Sequence, residues 1–249
     1  MDGEGSFGTM AEVFPALAST EPWWLPVNVV FVRTRDTTVL VDSGLGPPPR
    51  EFMPEADARL LGELARIGVV AEDVDLVAHT HLHVDHVGWD GSFPNARYVV
   101  NEEDWSYFMS EESLAARPHL REKTQPLYDA DLVDLVSGET ELLPGIRLVP
   151  TPGHTPGHMS IRLDAPDRAL VVLGDVVVHE VQLGDPDLVY VSDHEPSQAA
   201  ATRREFLGQL ADEGTAVVIS HFEGIGQVVR AGAGFRWEVF AKEDAAPVE

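Results

Sequence analysis

One short segment, Thr80 to His86, limits the fold more than any other part of the sequence. It reads Thr-His-Leu-His-Val-Asp-His and directly follows the apolar run Leu76-Val77-Ala78, which is typical of a buried strand. Side chains alternate along an extended chain, so His81 and His83 point to the same side. Imidazoles and carboxylates are ligands that zinc and related divalent ions accept. The segment therefore predicts a buried strand whose end carries metal ligands.

Three more strand ends carry the same kinds of side chain. His154 lies in a Pro/Gly-rich loop, Asp175 follows the apolar run that ends at Gly174, and His221 follows the run that ends at Ser220. One histidine-rich turn alone could be an ordinary solvated loop, but four such loops in one chain are hard to produce by chance. The absence of cysteine excludes thiolate ligands, a cysteine nucleophile and disulfides. The candidate metal ligands are His81, His83, Asp85, His86, His154, Asp175 and His221.

Charge and hydropathy limit the partners. The chain of 249 residues has 17 basic and 42 acidic side chains, a formal net charge of −25. Such a surface repels polyanions, so we expect neither nucleic acid nor an anionic membrane as a partner. No apolar run approaches the roughly 20 residues of a membrane-spanning helix, and the N-terminus does not resemble a secretory signal. We expect a cytoplasmic protein that acts on a small molecule; a homodimer is left open.

Alternating strand and helix patterns predict an α/β protein with a single domain over residues 1–249. Residues 1–12 are predicted to be a loose N-terminal arm, and residues 105–141, which are hard to place, are predicted to cap the site. Asn101 is predicted to begin a helix, since acidic residues follow it. Strands are predicted at 27–32, 38–41, 75–80, 96–100, 146–149, 159–163, 169–173 and 216–219, and further helices at 55–67 and 197–212.

These motifs resemble those of the metallo-β-lactamase-fold hydrolase superfamily. The run His81-Leu-His83-Val-Asp85-His86 matches the signature of that family, and single His, Asp and His residues follow it in the family's order. Asp42-Ser-Gly44 resembles a further element of the family, a strand-end acid and glycine ahead of the metal run. The resemblance extends over roughly residues 25 to 225. It is specific for fold and metal binding but weak for substrate, because one fold hosts many reactions.

The resemblance implies a four-layer αββα sandwich with two divalent metal ions at one edge of the sheets. Zinc is the expected metal, with iron, manganese and cobalt as alternatives. A hydroxide that bridges the two ions would attack the substrate, and Asp85 would be the catalytic residue that orients it. The first ion would be held by His81, His83 and His154, and the second by Asp85, His86 and His221, with Asp175 bridging both.

The residues from His81 to Gly88, followed by Trp89-Asp90, look most like the lactonase and organophosphate-hydrolase branch. We therefore expect a hydrolase that cleaves a small neutral ester or lactone. The alternatives are a thioesterase, a phosphotriesterase or a β-lactam hydrolase on the same site, or a non-hydrolytic metal-bearing accessory protein. Many lactonases of this type have a tyrosine just after the bridging aspartate, where this chain has Val176-Val-Val-His179. The predicted substrate contacts are His179, Trp24, Trp89, Trp105 and Phe108.

Overall fold

Two β-sheets that face each other form the centre of the fold in the computed structural model, which describes residues 2–166 and 168–241. The strands are β1 (Gly3–Thr9), β2 (Pro22–Val27), β3 (Val30–Arg33), β4 (Thr38–Val41), β5 (Leu76–Ala78), β6 (Arg97–Asn101), β7 (Val133–Val136), β8 (Thr140–Leu143), β9 (Ile146–Pro150), β10 (Met159–Ala165), β11 (Arg168–Val172), β12 (Ala216–Val218), β13 (Gly226–Ala231) and β14 (Gly234–Val239). The helices are α1 (Met10–Val13), α2 (Leu60–Arg66), α3 (Glu102–Phe108), α4 (Glu111–Ala116), α5 (Pro118–Lys123), α6 (Gln125–Asp129), α7 (Val181–Gly184) and α8 (Pro196–Glu213), with a 3-10 turn at Ala71–Asp73.

The order of the strands sets which chain segments meet at the edges of the sheets. The first large sheet has the order β3-β4-β5-β6-β7, and its last four strands run parallel. The second has the order β14-β13-β12-β11-β10-β9-β8, in which β11 and β12 are the parallel pair. Strands β1 and β2 form a separate antiparallel pair. Parallel neighbours end at the same edge of a sheet, so the loops that follow β5, β11 and β12 can converge there.

Alternating side chains along the strands build the layers. In β4, Val39 and Val41 pack between the sheets against residues such as Ile161, while Leu40 faces the opposite way, toward the helices. Helix α2 and the helices α3 to α6 cover the outer face of the first sheet, and α8 covers the outer face of the second through Leu207. The predicted four-layer αββα sandwich is therefore confirmed. No helix within the described ranges is long and apolar enough to cross a bilayer.

The predicted loose arm at residues 1–12 is wrong over the residues that the structure describes. Residues 3–9 form β1, which pairs with β2, and residues 10–13 form α1. The Asp2 carboxylate is buried and accepts hydrogen bonds from the backbone N–H groups of Leu45, Arg59 and Leu60 and from the Trp89 indole. The Gly-Glu-Gly-Ser segment that begins β1 has no apolar alternation, so its partner strand cannot be read from local sequence.

The same contact explains a misplaced helix boundary. The helix predicted at 55–67 begins only at Leu60, where the Asp2 carboxylate satisfies the N–H groups of Arg59 and Leu60 at 2.8 and 2.7 Å. An acid supplied from a distant part of the chain thus supports the first turn, a role that local side chains usually fill. The helix predicted after Asn101 is confirmed, and the Asn101 side chain accepts from the backbone N–H of Glu103.

The segment 105–141 consists of a helical part followed by strand residues, and its last two residues already belong to β8 of the second sheet. Residues 133–136 form β7, an edge strand that pairs with β6, so this part belongs to the first sheet rather than to a cap. The part before it forms most of α3 and all of α4, α5 and α6, which pack against the outer face of that sheet. Only this helical part reaches the candidate site. That it caps the site remains a prediction, and the prediction no longer includes β7.

Candidate metal centre

All seven predicted ligands converge at one edge of the two sheets. The segment from His81 to His86 follows β5 of the first sheet. The other three ligands come from the second sheet: His154 from the loop between β9 and β10, Asp175 after β11, and His221 after β12. Their ligand atoms form three overlapping groups, within each of which all atoms lie within 4.8 Å of one another. The site therefore exists only where both sheets meet.

Three imidazoles form the first group. His83 Nδ1 lies 3.0 Å from His81 Nε2 and 3.0 Å from His154 Nε2. A tetrahedral zinc ion with ordinary Zn–N bonds holds its nitrogen ligands about 3.3 Å apart, close to this spacing. Burial, reinforced by neighbouring histidines, lowers the pKa of His81 and of His83 well below its usual value. Both rings are therefore neutral at pH 7, the form in which imidazole binds a metal.

A second group combines two imidazoles with a carboxylate. Asp85 Oδ2 lies 3.6 Å from His221 Nε2 and 3.9 Å from His86 Nε2. Burial alone would lower the pKa of His86, but the carboxylates of Asp42, Asp175 and Asp85 raise it well above its usual value. This surplus of negative charge around one ring favours a bound cation.

Asp175 lies between the two groups. Its Oδ2 is 3.5 Å from His154 Nε2 in the first group and 3.2 Å from His221 Nε2 in the second. Its Oδ1 is 3.5 Å from His86 Nε2. The carboxylate is therefore placed where it could contribute to both groups, the position that the resemblance implies for it.

Two buried atoms support the presence of a metal site. His86 Nε2 and Asp175 Oδ1 are buried, and apart from their 3.5 Å approach to each other they have no hydrogen-bond partner within the described residues. An unsatisfied buried polar group costs about 1 to 3 kcal/mol, and more when it is charged. Divalent ions with nitrogen and oxygen ligands would satisfy both atoms. The ligand set therefore fits a pair of divalent ions.

The outer nitrogens of the ligand rings are held by further groups. His86 Nδ1 lies 2.8 Å from Asp42 Oδ2, and His154 Nδ1 lies 3.1 Å from Asp193 Oδ1. His221 Nδ1 lies 2.9 Å from the Pro26 carbonyl oxygen. Such contacts fix the orientation and tautomer of a ligand imidazole. Sequence reasoning missed Asp193, since nothing local distinguishes it from the many other acids of the chain.

Two histidines near the ligand motifs support the loops. The His158 ring accepts the backbone N–H of Asp175 at 3.0 Å and so ties the Pro/Gly-rich loop to the residue that follows Gly174. His79, which precedes the ligand run, lies between two buried carboxylates, with Nε2 3.1 Å from Asp90 Oδ1 and Nδ1 3.7 Å from Asp42 Oδ1. Both rings stabilise the positions from which ligands project.

A cavity of about 170 Å³ opens onto the ligands. His83, Asp85, Asp175 and His221 line it, and Leu25, Phe52, Arg117, His119, Tyr190 and Ser192 are among its other walls. Arg117 and His119 come from the α4–α5 region and were not predicted as site residues. Their sequence context carries no recognisable signal, because only the packing of the helices brings them to the ligands.

The predicted substrate contacts fall into different places. Trp24 and His179 line a second, larger cavity of about 830 Å³, which shares Leu25 and His221 with the first. The Phe108 ring lies 5.4 Å from that of His83, beside the ligands. Trp89 and Trp105 instead pack with the helices on the outer face of the first sheet, and neither lines the two cavities. The chain has no tyrosine directly after Asp175, but Tyr190 lines the smaller cavity and its ring stacks on that of His154.

Fold and ligand arrangement together define an αββα protein with a candidate metal centre where its two sheets meet. The chain belongs to the metallo-beta-lactamase superfamily, whose profile matches residues 22–221. This agrees with the resemblance seen in the motifs.

Curated relatives include N-acyl homoserine lactonases. The enzyme of that name from Bacillus thuringiensis is 26% identical over 167 residues, and the match covers 60% of this chain and 62% of that protein. The N-acyl homoserine lactonase AttM of Agrobacterium fabrum is 29% identical over 128 residues, covering 48% of this chain and 47% of the relative. The chain thus spans less than two thirds of the length of these relatives.

Solved structures resemble the whole fold. The hydrolase AbOPH of the beta lactamase superfamily superposes with a TM-score of 0.83 at 22% identity, covering 96% of this chain and 92% of that one. AidC, a dizinc quorum-quenching lactonase, gives a TM-score of 0.82 at 22% identity, with the same coverage. At this level of identity, the likeness concerns the fold.

Proposed function

We propose that this protein is a metal-dependent hydrolase that uses two divalent ions, with zinc as the metal, to cleave a small ester or lactone. The observation that carries the proposal is the position of Asp175, whose carboxylate lies within 3.5 Å of imidazole nitrogens from both ligand groups. The names of the curated relatives support a lactone among the ester substrates. The volume of the cavity at the ligands, about 170 Å³, supports a small molecule rather than a macromolecule as the substrate.

The chemistry divides between the ions and the chain. When bound, a pair of divalent ions would supply a water whose pKa is lowered toward neutrality, and would act as Lewis acids that polarise the scissile carbonyl. Asp85 lines the cavity, and its carboxylate can orient that water and accept its proton at Oδ. Asp42 fixes the orientation of the His86 ring, and Asp193 fixes that of the His154 ring. The Leu25 and Phe52 side chains provide apolar walls that limit the entry of bulk water.

Other residues are proposed to bind the rest of the substrate. Burial raises the pKa of the Tyr190 hydroxyl, which is therefore protonated at neutral pH and can act as a donor to a carbonyl oxygen. Trp24 and His179 would hold an apolar extension of the substrate in the larger cavity. Phe108 would position the His83 ring from outside the cavity.

A substrate panel on metal-loaded protein tests the proposal. The protein is freed of metal, loaded with Zn²⁺, Mn²⁺ or Co²⁺, and tested with lactones, aryl esters, thioesters, phosphotriesters and a β-lactam. We expect two ions per chain and the highest kcat/KM on lactones or esters. The variant Asp85→Asn should lose at least about 100-fold in kcat. Asp36→Asn, the same change on an exposed turn, should behave like the wild type. A protein that holds two ions and hydrolyses no member of the panel would refute the assignment.

A further inference from the structure

The cavity at the ligands contains a cation that has no acidic partner. Arg117 joins α4 to α5, and its guanidinium lies 5.2 Å from the centre of the Phe108 ring and 5.7 Å from that of Tyr107. Its Nη1 donates to Ser113 Oγ at 2.8 Å. Within residues 2–166 and 168–241, no ion pair joins Arg117 to a carboxylate. The two rings and the hydroxyl therefore hold the guanidinium in place without neutralising it.

An unpaired cation is notable in so acidic a chain. Acidic residues outnumber basic ones by 42 to 17, and exposed arginines such as Arg97 and Arg230 form ion pairs with aspartates. The acids that line the cavity are Asp85 and Asp175, and both belong to the metal-ligand set. Once they bind a metal, neither is available to Arg117. A negative partner for its charge would then have to enter with the substrate.

His119 is a second polar side chain of this cavity, and it has an unsatisfied atom. It is half-buried, lines the same cavity, and its Nε2 is buried without a hydrogen-bond partner among the described residues. Burial, with the charges of Arg117 and Lys123, lowers the pKa of His119 to about 4. The ring is therefore neutral at pH 7 and can donate one hydrogen bond, while Arg117 provides the positive charge.

We propose that Arg117 and His119 form a subsite that binds a carboxylate group carried by the substrate beside the bond to be cleaved. The planar guanidinium fork matches the two oxygens of a carboxylate, which makes this pairing both strong and directional. The inference rests on the proposed hydrolase function and narrows it. It replaces the wholly neutral ester expected from the sequence by an ester or lactone that also bears an acid group.

A matched pair of lactones tests the subsite. The probes are 5-oxotetrahydrofuran-2-carboxylate and 5-oxotetrahydrofuran-2-carboxamide, which share the scissile ring and differ in one charge. We expect the zinc-loaded wild type to favour the carboxylate in kcat/KM. Arg117→Gln should remove about 10- to 100-fold of that preference, mainly through KM, as expected for the loss of a hydrogen bond between charged groups. Arg117→Lys keeps the charge but loses the planar fork, so its preference for the carboxylate should lie between those of the wild type and Arg117→Gln.

Two controls separate binding from packing. Arg121→Gln removes the same charge from an exposed arginine of α5 that pairs with Glu111, and should leave the preference unchanged. Thermal unfolding shows whether Arg117→Gln still folds. If it does not, His119→Gln provides the test, because it alters the subsite without touching the rings beneath Arg117. A purely structural role for Arg117 would lower the rates on both lactones equally and would overturn the proposal.

A binding measurement distinguishes failure of the subsite from failure of the hydrolase. Tetrahydrofuran-2-carboxylate has no bond to cleave, and its affinity for the zinc-loaded protein is measured by calorimetry. Weaker binding to Arg117→Gln, with no hydrolysis of either lactone, would support the subsite and refute the hydrolase. Hydrolysis of both lactones at equal rates, with unchanged binding in Arg117→Gln, would support the hydrolase and refute the subsite.

Discussion

Replacing Asp42 by asparagine would show how strongly the group behind His86 controls metal binding. Asp42 Oδ2 accepts from His86 Nδ1 at 2.8 Å, and the same carboxylate accepts from the Thr80 N–H and hydroxyl. Burial alone would raise the pKa of Asp42, but His86 and His79 lower it well below its usual value, so the group is charged. Asp42 has φ of +62°, a conformation that asparagine tolerates better than most residues. The substitution therefore removes charge with little backbone strain.

The expected loss follows from one charge-assisted hydrogen bond. The amide oxygen of asparagine can still accept from Thr80, but its NH₂ group cannot accept from the His86 ring. Hydrogen bonds to charged groups contribute about 1.5 to 3 kcal/mol, which corresponds to roughly 10- to 100-fold in affinity. Losses of about the same size are typical when the support of a ligand histidine is removed. The effect should fall on the ion held by His86 and spare the three-histidine group.

Competition with a chromophoric chelator measures the two affinities separately. Asp75→Asn is the matched control, because Asp75 accepts from the Thr38 N–H just before β5, away from the end that bears the ligands. We expect the control to bind both ions as the wild type does. Equal weakening of both ions in Asp42→Asn, or no weakening of either, would refute the reasoning.

Four other substitutions test separate parts of the structure. Asp175→Ala should reduce occupancy at both metal positions, whereas His221→Ala should deplete mainly one; equal metal contents by mass spectrometry would contradict the ligand division. Burial raises the pKa of Asp104 to about 6, above its unfolded value, so this group lowers the free energy of unfolding as pH rises from about 4 to about 6. In urea unfolding, the free energy of unfolding of Asp104→Asn should lack this decrease with pH. If it changed with pH in parallel with that of the wild type, the reasoning would be contradicted. Trp24 is 67% exposed, so Trp24→Ala should leave the melting temperature almost unchanged while raising KM several-fold for long-chain lactones only. An equal change for short-chain lactones would argue against its contact with the chain.

Local sequence predicted which side chains converge at the candidate metal centre because several of them directly follow strands with clear apolar runs. The apolar runs before His81, Asp175 and His221 are β5, β11 and β12, and a side chain placed directly after a buried strand lies at the edge of its sheet. The order of the ligands along the chain then limits them to one family of folds. The alternation of strands and helices predicted an α/β protein, and the resemblance to the superfamily implied the four-layer arrangement.

The parts that sequence failed to predict depend on partners that are distant in the chain. Strand β1 needs β2, and the start of α2 needs the carboxylate of Asp2. Arg117 reaches the cavity only because α3 and α4 fold back over the first sheet. Trp89 and Trp105 follow the ligand run closely in sequence, but the helical side of the sheet buries them in the outer layer. Proximity along the chain was a poor guide to proximity at the cavity.

The helices between β6 and β7 contribute walls to the cavity but none of the seven ligands. One part of the cavity wall is thereby encoded in a stretch of the gene that carries none of the candidate ligands. Random mutagenesis confined to codons 102–129 would change walls of the cavity without altering any of the seven candidate ligands. Relatives that share the ligand run could therefore differ in substrate preference through changes in this stretch.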